Sequence, residues 1–265
     1  MGVAQKLYEQ GLITYMRTDS VNMSKEALPQ IYATIEKEYG KEYLSPRTYT
    51  SKSKNAQEAH EAVRPTNFNQ KSAGLNDEQE KLYRLIWERA ISSQMADAKI
   101  MKTKVSANIL QTTNYKLQTE TIPNFSVIGS IMIFPGWLAA DTKAQGEEIQ
   151  IPKLSEGEIL KLLNIESQGK QTEPPGRYSE AGLIKELEKR EIGRPSTYAS
   201  IIKTIQDREY VIKEGKTLKP TDTGEVVSNF LEQNFAQYIS DSFTAEMENK
   251  LDEIAEGKRE YEKML

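Results

Sequence analysis

The chain has 265 residues, a 37% hydrophobic fraction, a mean hydropathy of −0.64 and a formal charge of −4. That length with so little apolar content fits several thin modules better than one thick core. Net acidity argues against a broad, nonspecific nucleic-acid binder, so any DNA groove must be local. The absence of cysteine excludes a disulfide framework and cysteine-ligated zinc. Residues 1–6 lack the apolar stretch of a signal peptide, and the longest apolar runs, such as 127–135, are too short and glycine-interrupted to span a bilayer. A soluble, cytoplasmic protein is the expectation.

The spacing predicts a helix over 3–9, stopped by Gly11, and then a short strand carrying Tyr15. Side chains two apart on a strand share a face, so Tyr15 and Arg17 can address one phosphate. A phenol can attack phosphorus, and a planar cation can stabilise the phosphoryl oxygens and the developing phenolate. The competing reading is an amphipathic tyrosine beside a surface arginine. Ala27, Ile31 and Ile35 share one face of a second helix, whose start Pro29 constrains. Residues 47–55, rich in Ser, Lys and Thr, read as a surface loop leading to His60, the single histidine. His60 reads either as a helix-end residue bonded to a carbonyl or as a phosphate-site imidazole. Asn76 is a cap for a helix carrying Leu82, Leu85, Ile86 and Ala90.

Beyond residue 98 the period changes. Val105, Ala107 and Ile109 alternate, as do Tyr115, Leu117 and Thr119, and residues 131–134 precede Pro135-Gly136-Trp137. This β region runs through a turn at 155–158 to the Pro174-Pro175-Gly176 break. Ser179 and Ser196 are cap candidates for helices containing Leu183, Ile184 and Leu187, and Ile201, Ile202 and Ile205. Residues 210–212 and 216–218 flank Glu214-Gly215 as a hairpin, giving a winged-helix outline, and a last helix runs from about Thr244 to Gly257. Leu7 to Asp19 echoes Ile205 to Asp222, since each passes from a helix through a short β segment to a Thr-Asp pair. Arg194, Ser196, Thr197 and Arg208 are of phosphate-binding types, combining hydroxyls and amides at a helix start with guanidinium charge. An ordinary proline-bearing cap with solvated arginines is the alternative. Tyr178 and Tyr198 can stack on bases or pack in a core.

The run Gly11-Leu12-Ile13-Thr14-Tyr15-Met16-Arg17-Thr18-Asp19-Ser20 resembles the active-site segment of bacterial type IA DNA topoisomerases. Further blocks are similar to that family in the same order. They are Ala59-His60-Glu61-Ala62-Val63-Arg64-Pro65-Thr66, Pro174-Pro175-Gly176-Arg177-Tyr178-Ser179-Glu180-Ala181, Ile192-Gly193-Arg194-Pro195-Ser196-Thr197-Tyr198-Ala199, and Phe243-Thr244-Ala245-Glu246-Met247-Glu248 through Glu256-Gly257-Lys258-Arg259. The resemblance implies an α+β, multi-domain piece of the type IA toroid. Its parts would be a helical, winged-helix-like catalytic-tyrosine lobe at 1–97, a β-rich arch segment at 98–175 and a helical, winged-helix-like DNA-binding base at 176–265.

By the same resemblance, Tyr15 forms a 5′-phosphotyrosine with Arg17 and His60 as catalytic partners. Arg17, Arg194, Ser196, Thr197 and Arg208 contact DNA, while Glu61 and Arg64 brace a loop. The parent enzyme would act as a monomer on single-stranded and negatively supercoiled DNA, without ATP. It would use Mg²⁺ held by an N-terminal metal-binding (TOPRIM) module that this sequence lacks. No Asp-x-Asp-x-Glu cluster occurs here, so no metal or cofactor is expected in this chain, which alone is expected to be inactive. Glu191 and Glu209 stand where the family commonly has glycine, which puts two turn geometries in question. The alternatives are a non-catalytic helix-turn-helix DNA-binding module, against which net acidity weighs, and a protein-interaction scaffold.

Overall fold

A computed structural model describes residues 1–50, 60–74, 76–108 and 124–263. The alternating set at Tyr115, Leu117 and Thr119, together with Ile109, the 51–55 part of the polar loop and Ala59, lies outside the described residues. Three helices build the first lobe: α1 (Gly2–Glu9), α2 (Leu28–Glu38) and α3 (Asp77–Ser92). Pro29 falls in the first turn of α2, where its missing N–H removes no helical bond. α3 begins where Asn76 Oδ1 accepts from the Gln79 N–H at 3.1 Å.

The buried side of α3 differs from the expected stripe. Tyr83, Trp87, Ala90 and Ile91 are buried, whereas Leu85 is 50% exposed. The aromatic residues take the interior because their polar ends find carbonyls there. Tyr83 Oη donates to Gln70 O at 2.7 Å and Trp87 Nε1 to Phe68 O at 3.0 Å. α3 thereby serves two cores, one with Leu7, Ile13, Met16 and Tyr83, the other with Ile31, Ile35, Phe68, Trp87, Ile91 and Met95.

Strands β1 (Lys99–Ala107) and β2 (Phe125–Phe134) pair antiparallel with Val105 opposite Val127 and an irregularity at Lys99/Ile100. Ser130 extends the ribbon through a bridge to Ile149. Both strands are largely exposed, and the ribbon is held at its foot, where Trp137 and Ala140 return to the second core. The 155–158 turn forms as expected, with the Glu158 N–H donating to Ser155 O at 3.1 Å.

The second helical region contains α4 (Glu180–Lys189), α5 (Tyr198–Asp207), β3 (Val211–Glu214), β4 (Thr217–Pro220), α6 (Asp222–Phe235) and α7 (Asp241–Ala255). Ser179 caps α4, its Oγ accepting from the Gly182 N–H at 3.0 Å. Ser196 does not cap α5. Thr197 takes that position, with its Oγ1 accepting from the Arg194 N–H at 2.8 Å instead of from the helix.

α6 is not among the sequence-based expectations, and its first turn contains Gly224. Close approach requires that glycine: a Cβ there would lie 2.1 Å from Tyr210 O. α7 starts at Asp241 rather than near Thr244, since Ser240 Oγ accepts from the Phe243 N–H at 3.1 Å. Among the described residues beyond 141, Ile202 and Leu218 are the only buried apolar ones, in keeping with the thin modules that composition implied.

Helices α1, α4, α5 and α7 end alike. The residue after each cap is left-handed, with φ of 70° at Gly11, 60° at Glu191, 56° at Glu209 and 72° at Gly257. The next N–H turns back onto the last turn: Leu12 to Leu7 O at 3.0 Å, Ile192 to Leu187 O at 2.9 Å, Tyr210 to Ile205 O at 2.9 Å and Lys258 to Glu253 O at 2.8 Å. The two glutamates therefore keep the turn that glycine makes easily, at a cost of about 1–2 kcal/mol each, and place a carboxylate at the negative end of a helix. Glu191 is partly compensated, because Asn249 Nδ2 donates to its carboxylate at 3.3 Å. Glu209→Gly should raise stability by about 0.5–1 kcal/mol after allowing for the looser unfolded chain, read as a higher urea midpoint at unchanged m. Gly224→Ala should lower it by about 2 kcal/mol or more in the same assay.

Candidate active site

The segment carrying Tyr15 is not a sheet strand. Ile13 makes one isolated bridge, to Pro65, and residues 14–20 are irregular, so strand alternation does not set the directions of Tyr15 and Arg17. A reciprocal seam with residues 62–66 holds the segment instead. The Thr14 N–H donates to Arg64 O at 2.9 Å, and the Arg64 N–H returns to Thr14 Oγ1 at 3.0 Å. Thr14 Oγ1 also donates to Ala62 O at 3.1 Å, using a hydroxyl as donor and acceptor together. Thr66 closes the seam, its N–H on Leu12 O at 3.1 Å and its Oγ1 on Gly11 O at 2.6 Å.

The second helical region repeats this closure. Thr221 donates its N–H to Tyr210 O at 3.1 Å and its Oγ1 to Glu209 O at 2.6 Å, and Pro220 pairs with Val211 as Pro65 does with Ile13. The internal echo is thus present with a different register from the expected one: Thr66, not Thr18, corresponds to Thr221. The Thr18-Asp19 pair is therefore not the counterpart of Thr221-Asp222; hydrogen bonding matches Thr66 with Thr221 by the left-handed residue each closes upon.

The seam decides where His60 lies. Its ring is 5.2 Å from that of Tyr15, centroid to centroid, and tilted by 34°. Tyr8, on α1, meets the Tyr15 ring edge-on at 5.4 Å. Tyr15 is half-buried against the core of Leu7 and Ile13, so its ring is fixed without being sealed. Arg17 is exposed, and among the described residues no hydrogen bond or ion pair occupies its guanidinium. A ring held by packing and a cation open to solvent together suit an incoming anion.

Glu61 and Arg64 brace the same loop. Arg64 donates from Nε and Nη2 to the two Glu61 carboxylate oxygens at 2.8 and 2.7 Å, and the Ser24 N–H donates to Glu61 Oε2 at 2.8 Å. Burial pushes the Glu61 carboxyl up, but the Arg64 guanidinium and the Ser24 N–H outweigh it and hold the group below the usual carboxylate range.

The four phosphate-type residues of the second region are less uniform. Ser196 and Arg208 are exposed, Arg208 at the far end of α5, and Thr197 is tied to Arg194. Arg194 itself is committed to α7. Its Nη1 donates to Glu248 Oε2 and its Nη2 to Asp252 Oδ2, each at 2.7 Å, while the Gly193 N–H donates to Glu248 Oε1 at 2.8 Å. Burial works against the Arg194 charge, but Asp252 and Glu248 more than offset it and keep the guanidinium more firmly protonated than usual. Neither carboxylate was among the expected site residues. Their i,i+4 spacing on one helix face was the available signal. Burial also pushes the Tyr198 phenol up, with Glu188, Glu248 and Asp19 adding to it against Arg194. Asp19 belongs to the Tyr15 loop, so the α5 turn lies within electrostatic reach of that loop.

A family model described as DNA topoisomerase matches residues 1–265. The chain belongs to that family. Among its topoisomerase relatives, DNA topoisomerase 1 of Synechocystis sp. is 44% identical over 98% of this chain and 29% of the relative. DNA topoisomerase 1 of Mycolicibacterium smegmatis is 45% identical, again over 98% of the chain and 29% of the relative. The structure of full-length topoisomerase I from Thermotoga maritima matches with a TM-score of 0.74 at 35% identity, over 98% of this chain and 42% of that one. The chain therefore spans 29% of the length of these two relatives, and its mixed helices and small sheets are those of part of a bacterial type IA topoisomerase. Among the described residues no helix is long and apolar enough to cross a membrane.

The Glu61–Arg64 pair makes this topoisomerase lobe sensitive to acid. Because the folded carboxyl titrates below an unfolded glutamate at about 4.3, its contribution is complete above about pH 4.3 and is lost as pH falls through the lower folded value. Glu61→Gln should cost about 1 kcal/mol at neutral pH and flatten the stability loss between about pH 5 and 3, measured by urea unfolding across that range.

Proposed function

We propose that the chain is the tyrosine-bearing part of an ATP-independent type IA DNA topoisomerase, which relaxes negative supercoils by cutting one strand, passing another and resealing the first. The observation that carries this reading is the Tyr15–His60 ring contact at 5.2 Å beside the exposed Arg17. The name shared by the relatives, DNA topoisomerase 1, supports it.

In this reading Tyr15 Oη attacks the scissile phosphorus. The Oη–P bond forms as the P–O3′ bond breaks, the phenolic proton leaves Oη and the departing 3′ oxygen takes up a proton. The products are a 3′-hydroxyl and a 5′-phosphotyrosine, and resealing is the reverse. A free phenol has a pKa of about 10, so attack at neutral pH needs help. Arg17 stabilises the phosphoryl oxygens as charge builds on them. His60, next to the attacking ring, gives electrostatic support at the phosphate and a path for the proton.

Arg194, Ser196, Thr197 and Arg208 contact the single strand leading to Tyr15, and the parent works as a cytoplasmic monomer on negatively supercoiled DNA. Mg²⁺ belongs to the parent outside this chain. Spanning 29% of each of two relatives, the chain by itself is expected to relax no DNA.

The test is a graft of this sequence into a full-length relative in place of the matching region. A 3′-labelled single strand should become covalently attached to protein, and Tyr15→Phe should abolish the adduct. Arg17→Ala should slow adduct formation by about 10²–10³-fold with an unchanged circular-dichroism spectrum. Adduct persisting in Tyr15→Phe sinks the assignment.

A further inference from the structure

Helix α7 contacts the α4–α5 turn through polar groups. Arg190 Nη1 donates to Asp241 Oδ2, Asn249 Nδ2 donates to Glu191 Oε2, and Glu248 and Asp252 take the Gly193 N–H and both Arg194 terminal nitrogens. No residue of α7 is fully buried, although Phe243, Met247 and Ile254 are half-buried, so its hold on the turn itself is carried by these polar bonds. Three of the five Arg194 donors are engaged. Its Nη1 serves Glu248 and the Gly193 carbonyl and its Nη2 serves Asp252, leaving Nε and one Nη2 hydrogen among its five donors. One guanidinium against two carboxylates gives the group a formal charge of −1, the wrong sign for a phosphate.

We propose that Glu248 and Asp252 form a detachable acidic cover on the Arg194 turn, holding the positions a strand phosphate would take, so that loading of single-stranded DNA displaces α7 from the turn. This rests on the reading that the turn contacts DNA. Each carboxylate accepts one charge-assisted bond from a terminal nitrogen, the kind of bond a phosphate oxygen also accepts, so the exchange replaces like bonds with like. The cover thereby sets a threshold. A single weakly held phosphate does not release both carboxylates, whereas a strand that also engages neighbouring cations does. Arg194 is also kept from random polyanions while the cover is closed, in line with the net acidity of the chain.

The experiment uses this chain and fluorescein-labelled dT12, followed by anisotropy. The double variant Glu248→Gln/Asp252→Asn should bind about three- to tenfold more tightly than the unaltered chain, with a matching circular-dichroism spectrum. Adding Arg194→Ala should remove the gain. A second readout needs no DNA: phenylglyoxal labelling followed by peptide mass spectrometry. Arg194 should react slowly beside Arg17 and Arg208 in the unaltered chain and at least about threefold faster in the double variant. Binding that is unchanged or weaker in the double variant, or equal Arg194 labelling, overturns the cover while leaving Tyr15 chemistry untouched. Absence of dT12 binding by both proteins overturns the DNA-contact reading of this turn and the cover with it.

Discussion

The geometry of the Tyr15 site depends on one hydroxyl. Thr14 Oγ1 takes the Arg64 N–H and gives its own proton to Ala62 O, fastening chain segments fifty residues apart. Neither segment belongs to a regular element that would align it by repetition, so these few bonds do what a ladder does in a sheet. The imidazole of His60, two residues before Ala62, is thereby carried onto the phenol. The Glu61–Arg64 fork then stiffens the approach from the other side, anchored to the backbone at Ser24.

The same closure in the second region shows what is particular about the first. There, threonine and proline fold a short hairpin back onto a left-handed helix stop. In the first lobe they close over everything from Thr14 to Arg64, α2 included. The residues proposed to react therefore occupy the place of that hairpin's turn, with one bridge pair, Ile13 and Pro65, at its mouth. A shared frame has been filled once by a tight hairpin and once by a long excursion that bears Tyr15, Arg17 and His60.

Local hydrogen bonds were legible in the sequence. Asn76 and Ser179 as caps, and Gly11 and Gly257 as stops, act within a few residues of themselves, so their neighbours reveal them. The family wording pointed to Tyr15, Arg17 and His60 as candidates for chemistry. Features set by distant partners were not legible. Spacing on α3 favours Leu85 for the interior, but carbonyls of the 68–70 turn draw in Tyr83 and Trp87. Likewise nothing adjacent to Arg194 shows that its guanidinium is already spoken for by Glu248 and Asp252, more than fifty residues later.

The placement of α3 has a thermodynamic consequence. Tyr83 and Trp87, one helical turn apart, are committed to different cores, so neither core can loosen while the other stays whole. The first lobe must melt in a single step. Helices α6 and α7, with no interior of their own, have nothing comparable to bind them together. On warming, the C-terminal helices fray while the tyrosine-bearing lobe still holds its native form, and a protease would record that order in its earliest cuts.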